Sequence, residues 1–152
     1  MIQTDERVIL LVEDNPDDEL LALRALKKNN FGNRIIVARD GVEALDYFFN
    51  NDLANERDGR IMPSLVLLDL NLPRVNGLEV LRQLRSDERT RNLAVVVLTT
   101  SDEDKDVVSS YNLGANSFVR KPVEFGEFIE AVKQLGLYWL ELNFPSPRVS
   151  RG

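Results

Sequence analysis

The hydrophobic pattern of the chain consists of five short apolar segments, each followed by a longer stretch of mixed polar and apolar residues. The segments lie at residues 8–12, 35–38, 65–68 and 95–98, with a weaker fifth at 118–119. They are too short for helices, and their apolar residues are continuous rather than alternating. This pattern is typical of strands that are covered on both faces, as in a parallel sheet.

The stretches between these segments have the features of amphipathic helices. The first helix is predicted to begin at Pro16, because proline suits the first helical position and three acidic residues follow it. Further helices are predicted at residues 42–49, 78–84, 103–113 and 125–137, and Gly114 stands where a C-terminal cap belongs. Strands and helices that alternate in this way predict a three-layer α/β sandwich around a central five-stranded parallel sheet.

Two segments stand outside this alternation. Residues 50–62 are polar and are predicted to form a surface loop, and residues 140–152 contain two prolines that prevent regular helix throughout. A length of 152 residues fits one domain. We therefore expect one domain over residues 1–137, followed by a C-terminal extension over residues 138–152.

Composition excludes several classes of function. The net charge of −6 argues against a general nucleic-acid binder, which needs a basic face. Cysteine and histidine are both absent, which excludes thiolate zinc sites, cysteine nucleophiles and Ser-His-Asp hydrolases. There is no signal peptide and no apolar run of the length that a membrane helix needs. We expect a cytoplasmic protein that binds neither DNA nor a membrane.

Acidic residues gather where the predicted strands end. Glu13 and Asp14 follow the first strand, Asp69 follows the third and Thr99 follows the fourth. Arg120, Lys121 and Pro122 follow the fifth. In an open parallel sheet, ligands bind beyond the carboxyl ends of the strands. The sequence therefore predicts that three carboxylates, a hydroxyl and an amine meet at one edge.

Three neighbouring carboxylates repel one another, and a divalent cation removes that conflict. Oxygen ligands without histidine or cysteine favour Mg²⁺. Lys121 supplies a second positive charge for an incoming anion, so the site suits a phosphoryl group. An aspartate can itself attack phosphorus and form an acyl phosphate. Asp69 is the best placed of the three acids for this role.

Four motifs together resemble the signature of response-regulator receiver domains of two-component signalling. They are Val12-Glu13-Asp14-Asn15, Leu67-Leu68-Asp69-Leu70-Asn71-Leu72-Pro73-Arg74-Val75-Asn76-Gly77, Leu98-Thr99 and Phe118-Val119-Arg120-Lys121-Pro122. Their order and spacing match that family, and the resemblance covers roughly residues 7–137. It implies a flavodoxin-like (βα)5 fold and a signalling role rather than that of a turnover enzyme.

The resemblance implies a role for each acidic residue. Asp69 matches the phosphoacceptor aspartate, and Glu13 and Asp14 match the acidic pair that holds Mg²⁺ together with Asp69. Asn71 matches the residue whose backbone carbonyl completes the metal shell. Glu13 stands where aspartate is common, and its longer side chain should still reach the metal.

The resemblance also implies a switch. Thr99 matches the hydroxyl that moves to bond the phosphoryl oxygen, and Phe118 matches an aromatic switch residue that is frequently tyrosine. Lys121 matches the lysine that neutralises the phosphate. Its bond to Pro122 is expected to be cis, as is usual in the family.

The implied partner is a sensor histidine kinase on a separate chain, since this chain has no histidine to carry the phosphoryl group. The long loop before the third strand and the Tyr-Trp-Leu-x-Leu-Asn-x-Pro segment are similar to the small stand-alone regulators of bacterial phytochrome histidine kinases. No DNA-binding output domain is evident, so we expect the output to be a partner protein or self-association.

The last predicted helix carries a short heptad pattern that runs into an aromatic cluster. The pattern consists of Phe128, Val132, Leu135, Trp139 and Leu142. An apolar patch past the expected domain end favours a contact surface. We therefore expect a homodimer face that uses Leu135, Tyr138, Trp139 and Leu142. The alternative is that Phe128 and Val132 face the sheet and that the remainder is an ordinary helix end.

Other functions remain open at this stage. An aspartyl-nucleophile phosphatase of the haloacid dehalogenase type wants an Asp-x-Asp pair, whereas the second position here is Asn71. A flavin carrier needs a phosphate cradle after its first strand, where this chain is acidic. A non-phosphorylated adaptor would need none of the chemical residues that are present.

Overall fold

A computed structural model describes residues 8–28, 34–49, 62–101, 103–122 and 124–142, with side chains described as far as residue 140. The strands are β1 (Val8–Val12), β2 (Arg34–Ala38), β3 (Leu65–Leu68), β4 (Val95–Thr99) and β5 (Ser117–Arg120). The helices are α1 (Pro16–Lys28), α2 (Gly41–Phe49), α3 (Gly77–Ser86), α4 (Asp104–Asn112) and α5 (Phe125–Gly136). A π-helical segment, Leu137–Leu142, continues from α5.

The five strands form one parallel sheet in the order β2-β1-β3-β4-β5. Leu10 at the centre of β1 pairs with Ile36 on one side and Val66 on the other. The predicted three-layer, flavodoxin-like fold with a five-stranded parallel sheet is therefore confirmed.

The core lies in two layers, one on each face of the sheet. Leu10 and Val12 point into the layer that α2 and α3 cover. Ile9 and Leu11 point into the layer that α1 and α5 cover. All five residues of β1 are buried, which explains why the strand sequence is continuously apolar.

The helix boundaries follow from local chemistry. Pro16 opens α1 as predicted, and the side-chain oxygen of Asn15 accepts hydrogen bonds from the backbone nitrogens of Asp17 and Asp18. Asn76 caps α3 by accepting a hydrogen bond from the backbone nitrogen of Glu79 at 3.0 Å. Gly114 follows α4 with a φ of 101°, the left-handed conformation in which a glycine ends a helix with least strain.

The C-terminal region differs from a regular heptad helix. Phe128 and Val132 are buried against the sheet, and Leu135 and Trp139 are partly buried against the same layer. Leu140, predicted to begin a tail, is only 6% exposed and belongs to this layer. The π-helical turn changes the residue spacing after Gly136, so the heptad does not continue as an exposed seam.

Other expectations about the ends and loops fall largely beyond the described residues. The predicted loop at residues 50–62 lies outside them except for Met62, and so does most of the predicted tail. Among the described residues, no helix is both long enough and apolar enough to cross a membrane.

Close packing around Gly77, the first residue of α3, leaves no room for a side chain at this position. A Cβ atom at this position would lie 2.2 Å from the backbone oxygen of Asp69. We expect Gly77→Ala to lower the free energy of unfolding by about 1–3 kcal/mol, because the backbone that carries Asp69 would have to shift. Urea denaturation measures the change.

Gly126 offers the matched control. It also lies in a helix, but a Cβ there would meet nothing within 4 Å. Gly126→Ala should leave stability unchanged or raise it by about 1 kcal/mol, as in ordinary helical positions. Equal effects of the two substitutions would contradict the packing argument.

Candidate functional site

The predicted site residues meet at the carboxyl edge of the sheet. Strand order makes this inevitable, because β3 lies between β1 and β4, and β5 lies next to β4. Glu13 and Asp14 directly follow β1, and Asp69 directly follows β3. Thr99 is the last residue of β4. Lys121 leaves β5, and its backbone nitrogen donates a hydrogen bond of 2.7 Å to the carbonyl oxygen of Thr99.

Glu13, Asp14 and Asp69 form an acidic triad. One carboxylate oxygen of each lies within 4.8 Å of the others. Glu13 and Asp69 are buried, whereas Asp14 is exposed to solvent. A donor set made only of oxygen atoms fits a hard divalent cation such as Mg²⁺, which keeps several waters and uses few carboxylates. The exposed side of Asp14 leaves room for such waters.

Lys121 is the positive centre of the site. Its Nζ atom donates hydrogen bonds to Glu13 Oε1 at 2.6 Å, Asp18 Oδ2 at 2.7 Å and Asp69 Oδ2 at 3.3 Å. Only 4% of its side chain is exposed. Burial alone would lower the pKa of Lys121, but the hydrogen bonds to Asp18 and Glu13 and the charge of Asp69 raise it above its usual value. The amine is therefore charged.

Glu13 is a buried carboxyl group whose pKa is shifted upward. Burial raises the pKa of Glu13 to about 7, and the charge of Asp69 adds to this rise. The hydrogen bond and the charge of Lys121 act in the opposite direction. The hydrogen bond and the charge of Lys121 thus do not fully offset the effect of burying Glu13.

Asp69 is held at both carboxylate oxygens. Thr99 Oγ1 donates a hydrogen bond of 2.8 Å to Asp69 Oδ1, and the backbone nitrogen of Asn71 donates one of 3.2 Å to the same atom. The other oxygen, Oδ2, faces Lys121. The side chain is fixed with one oxygen beside a hydroxyl and the other beside an amine.

Asp18 is the site residue that the sequence analysis missed. Its sequence position indicates only a first-turn acid that suits the helix dipole, yet its carboxylate reaches Lys121. The signal that could have found it is its position in the helical turn directly after Glu13 and Asp14. The amino end of that helix faces the same edge of the sheet as the strand ends.

Phe118 lies on β5, partly buried against the core layer beneath α2 and α3. Its backbone nitrogen donates a hydrogen bond of 3.1 Å to the hydroxyl of Tyr111 on α4. The expected cis bond between Lys121 and Pro122 was wrong, since no described peptide bond, this one included, is cis. Trans is the intrinsically favoured isomer of an X–Pro bond, and Lys121 reaches the acidic triad with it.

The chain belongs to the response regulator receiver domain family, since the model of that family matches residues 9–133. Members of this family are signalling proteins of two-component systems. The chain is thus a response-regulator receiver protein.

Particular relatives refine this class. The chain is 44% identical to the probable methanogenesis regulatory protein FilR2 of Methanothrix harundinacea, over 91% of this chain and 87% of that protein. It is 50% identical to the bacteriophytochrome response regulator AtBRR, with a TM-score of 0.72, over 93% of this chain and all of that one. It is 34% identical to the Mn²⁺-bound response regulator Rcp1 of Synechocystis, with a TM-score of 0.83, over 93% of this chain and all of that one.

The site geometry separates residues that would bind metal from the one that would bind an anion. We expect Asp14→Ala to weaken Mg²⁺ binding by about tenfold or more, because it removes a predicted ligand. Lys121→Ala should leave Mg²⁺ affinity unchanged or raise it, because it removes a competing positive charge. Isothermal titration calorimetry measures both affinities.

Asp17→Ala is the control, because it removes an exposed acid from the same region without touching the acidic triad. Its Mg²⁺ affinity should stay within about twofold of that of the unmodified protein. Loss of Mg²⁺ affinity in Lys121→Ala but not in Asp14→Ala would reverse the assignment.

Proposed function

We propose that Asp69 accepts a phosphoryl group from a sensor histidine kinase in a Mg²⁺-dependent reaction, and that the phosphorylated chain changes its contacts with a partner or with itself. The observation that carries the proposal is the way Asp69 is held. Its two oxygens face Thr99 and Lys121, and two further carboxylates stand beside it. This arrangement offers a nucleophile together with donors for a transferred phosphoryl group.

The transfer follows from these groups. An oxygen of Asp69 forms a bond to phosphorus while the bond from phosphorus to the imidazole nitrogen of a kinase phosphohistidine breaks. The imidazole keeps the bonding electron pair and takes up a proton from water, so it leaves as neutral imidazole. Lys121 and Thr99 then have N–H and O–H groups within reach of the new phosphoryl oxygens.

Mg²⁺ would be held by Glu13, Asp14, Asp69 and the backbone carbonyl of Asn71, and when bound it supplies positive charge for the phosphoryl oxygens. Support for a divalent cation comes from the all-oxygen acidic triad and from the Mn²⁺-bound state of the related Rcp1. The identity of the ion as Mg²⁺ belongs to the proposal.

A turnover phosphatase is a poorer fit to this site. The residue two positions after Asp69 is Asn71, and its backbone nitrogen bonds the Asp69 carboxylate. A second carboxylate that could act as a general acid on a leaving group is missing at that position. We infer that the chain acts as a phosphoacceptor rather than as an enzyme that acts on free phosphate esters.

The proposed kinase is of the bacterial phytochrome type. The support is the 50% identity to AtBRR, which is described as a bacteriophytochrome response regulator. The similarity covers the full length of AtBRR, so it is not restricted to the strands and helices of the receiver core.

We also propose that residues 138–152 are an extension of a receiver domain spanning residues 1–137, and that α5 and this extension form a homodimer face. Tyr138 is 48% exposed and stacks edge to face with Trp139 at 4.9 Å. Leu135 and Trp139 are partly buried in their own chain, which leaves part of each apolar surface for a partner. The Leu142 side chain lies outside the described residues.

Phosphorylation can be measured on the intact protein. With a small donor such as acetyl phosphate and Mg²⁺, mass spectrometry should show one added phosphoryl group. Asp69→Asn should abolish it, because an amide oxygen does not attack phosphorus. An undiminished adduct in Asp69→Asn would show that another residue is the acceptor, and no adduct on the unmodified protein would favour the non-phosphorylated adaptor.

Self-association is tested by analytical ultracentrifugation at micromolar protein concentration. We expect a dimer, and Trp139→Ala combined with Leu142→Ala should shift it towards monomer, since truncation at an interface hot spot often costs about 2 kcal/mol or more. Circular dichroism should show that the variant remains folded. A monomeric unmodified protein, with and without phosphorylation, would contradict the dimer and assign these residues to packing within one chain.

A further inference from the structure

Lys121 has a third partner outside the acidic triad. Its ammonium group has three N–H bonds, and these point to Glu13, Asp69 and Asp18. Glu13 and Asp69 belong to the acidic triad, whereas Asp18 does not. The Asp18 side chain is also more accessible, with 25% exposed compared with 4% for Glu13.

The position of Asp18 is fixed by the start of α1. Asn15 Oδ1 accepts a hydrogen bond of 3.1 Å from the Asp18 backbone nitrogen. The backbone nitrogen of Asn15 donates to Glu13 Oε2 at 3.1 Å. Asn15 thereby ties the first turn of α1 to the acidic triad, and Asp18 is presented to the lysine by the helix itself.

A phosphoryl group on Asp69 would have to share the same ammonium group. All three N–H bonds of Lys121 are engaged before it arrives, so one acceptor must give way. Asp18 Oδ2 and Asp69 Oδ2 both accept a hydrogen bond from Lys121 Nζ. The distance between these two oxygen atoms therefore cannot exceed the sum of the two hydrogen-bond lengths. The negative charge of Asp18 would therefore also repel a phosphoryl dianion.

We propose that Asp18 is a positioning residue that holds Lys121 in the unphosphorylated protein and competes with the phosphoryl group for its ammonium, which limits the stability of the phosphorylated state. This inference rests on phosphorylation of Asp69 as proposed above. It concerns a residue that acts through Lys121 and not a ligand of the metal.

The test uses beryllofluoride at saturating Mg²⁺. When a carboxylate oxygen coordinates its beryllium, the adduct is tetrahedral, as a phosphoryl group on that carboxylate would be. Asp18→Asn keeps the shape of the side chain and removes its charge. It should bind beryllofluoride about fivefold more tightly than the unmodified protein, the size expected for a partly exposed ion pair. Asp18→Glu keeps a carboxylate near the lysine and should stay near the unmodified value.

Asp17→Asn is the matched control, since it removes one charge from the same helical turn, and no ion pair between Asp17 and Lys121 is found among the described side chains. Its beryllofluoride affinity should change by less than about twofold. The Mg²⁺ affinity measured without beryllofluoride should be the same, within about twofold, in all variants, because Asp18 is outside the acidic triad.

Three results would overturn the inference. The first is an equal beryllofluoride affinity of Asp18→Asn and Asp17→Asn, and the second is weaker binding of beryllofluoride by Asp18→Asn than by the unmodified protein. The third is a gain in beryllofluoride affinity in Asp18→Asn that is matched by an equal gain in its Mg²⁺ affinity. Weaker binding would mean that Asp18 helps Lys121 to reach the phosphoryl group. Failure of the unmodified protein both to bind beryllofluoride and to accept a phosphoryl group would instead contradict the function proposed for Asp69.

Discussion

The buried ammonium group of Lys121 is the interaction on which the site depends. It lies among carboxylates of Glu13, Asp18 and Asp69, two of which are themselves buried. Without this charge, burial of those acids at the end of an apolar sheet would be strongly unfavourable. With it, the site still carries more negative than positive charge, which is the condition that attracts a divalent cation.

The fold supplies this cluster from segments that are far apart in sequence. Lys121 and Glu13 are separated by 108 positions, yet they are in contact because parallel strands end at one edge. Apolar layers pack on both faces of β1, β3 and β4, and this packing fixes where the residues that follow these strands lie. Because Gly77 has no side chain, α3 begins in close contact with the backbone of Asp69, and this contact fixes the position of Asp69.

The strands and most of the site residues could be predicted because the sequence patterns that indicate them are local. Short continuous apolar segments predict buried parallel strands, and such strands have their functional residues at their carboxyl ends. The positions of Glu13, Asp14, Asp69, Thr99 and Lys121 follow from that rule alone. The predicted roles of the acids and of Lys121 then follow from their charge, whereas the predicted role of Thr99 came from resemblance to a family. The helix starts at Pro16 and Gly77 fall close to the predicted positions for the same reason.

The features that escaped prediction depend on three-dimensional context. Asp18 looks like any first-turn acid, and only the orientation of α1 set by Asn15 reveals that it reaches Lys121. The heptad spacing near the C-terminus did not reveal the π-helical turn after Gly136, because side-chain spacing presupposes a regular helix. The isomer of the Lys121–Pro122 bond is likewise a small energy difference that the sequence does not determine.

The central claim is that the acidic triad holds more charge than Lys121 balances, and that metal binding relieves the excess. Urea unfolding of the Asp69→Asn variant without divalent cations tests it most directly. The account predicts that the variant is more stable than the unmodified protein by about 1–2 kcal/mol, since one of several mutually repelling carboxylate charges is removed. It also predicts that Mg²⁺ stabilises the unmodified protein more than it stabilises the variant. A less stable variant would contradict the account, because it would show that the attraction between Asp69 and Lys121 outweighs the repulsion among the acids.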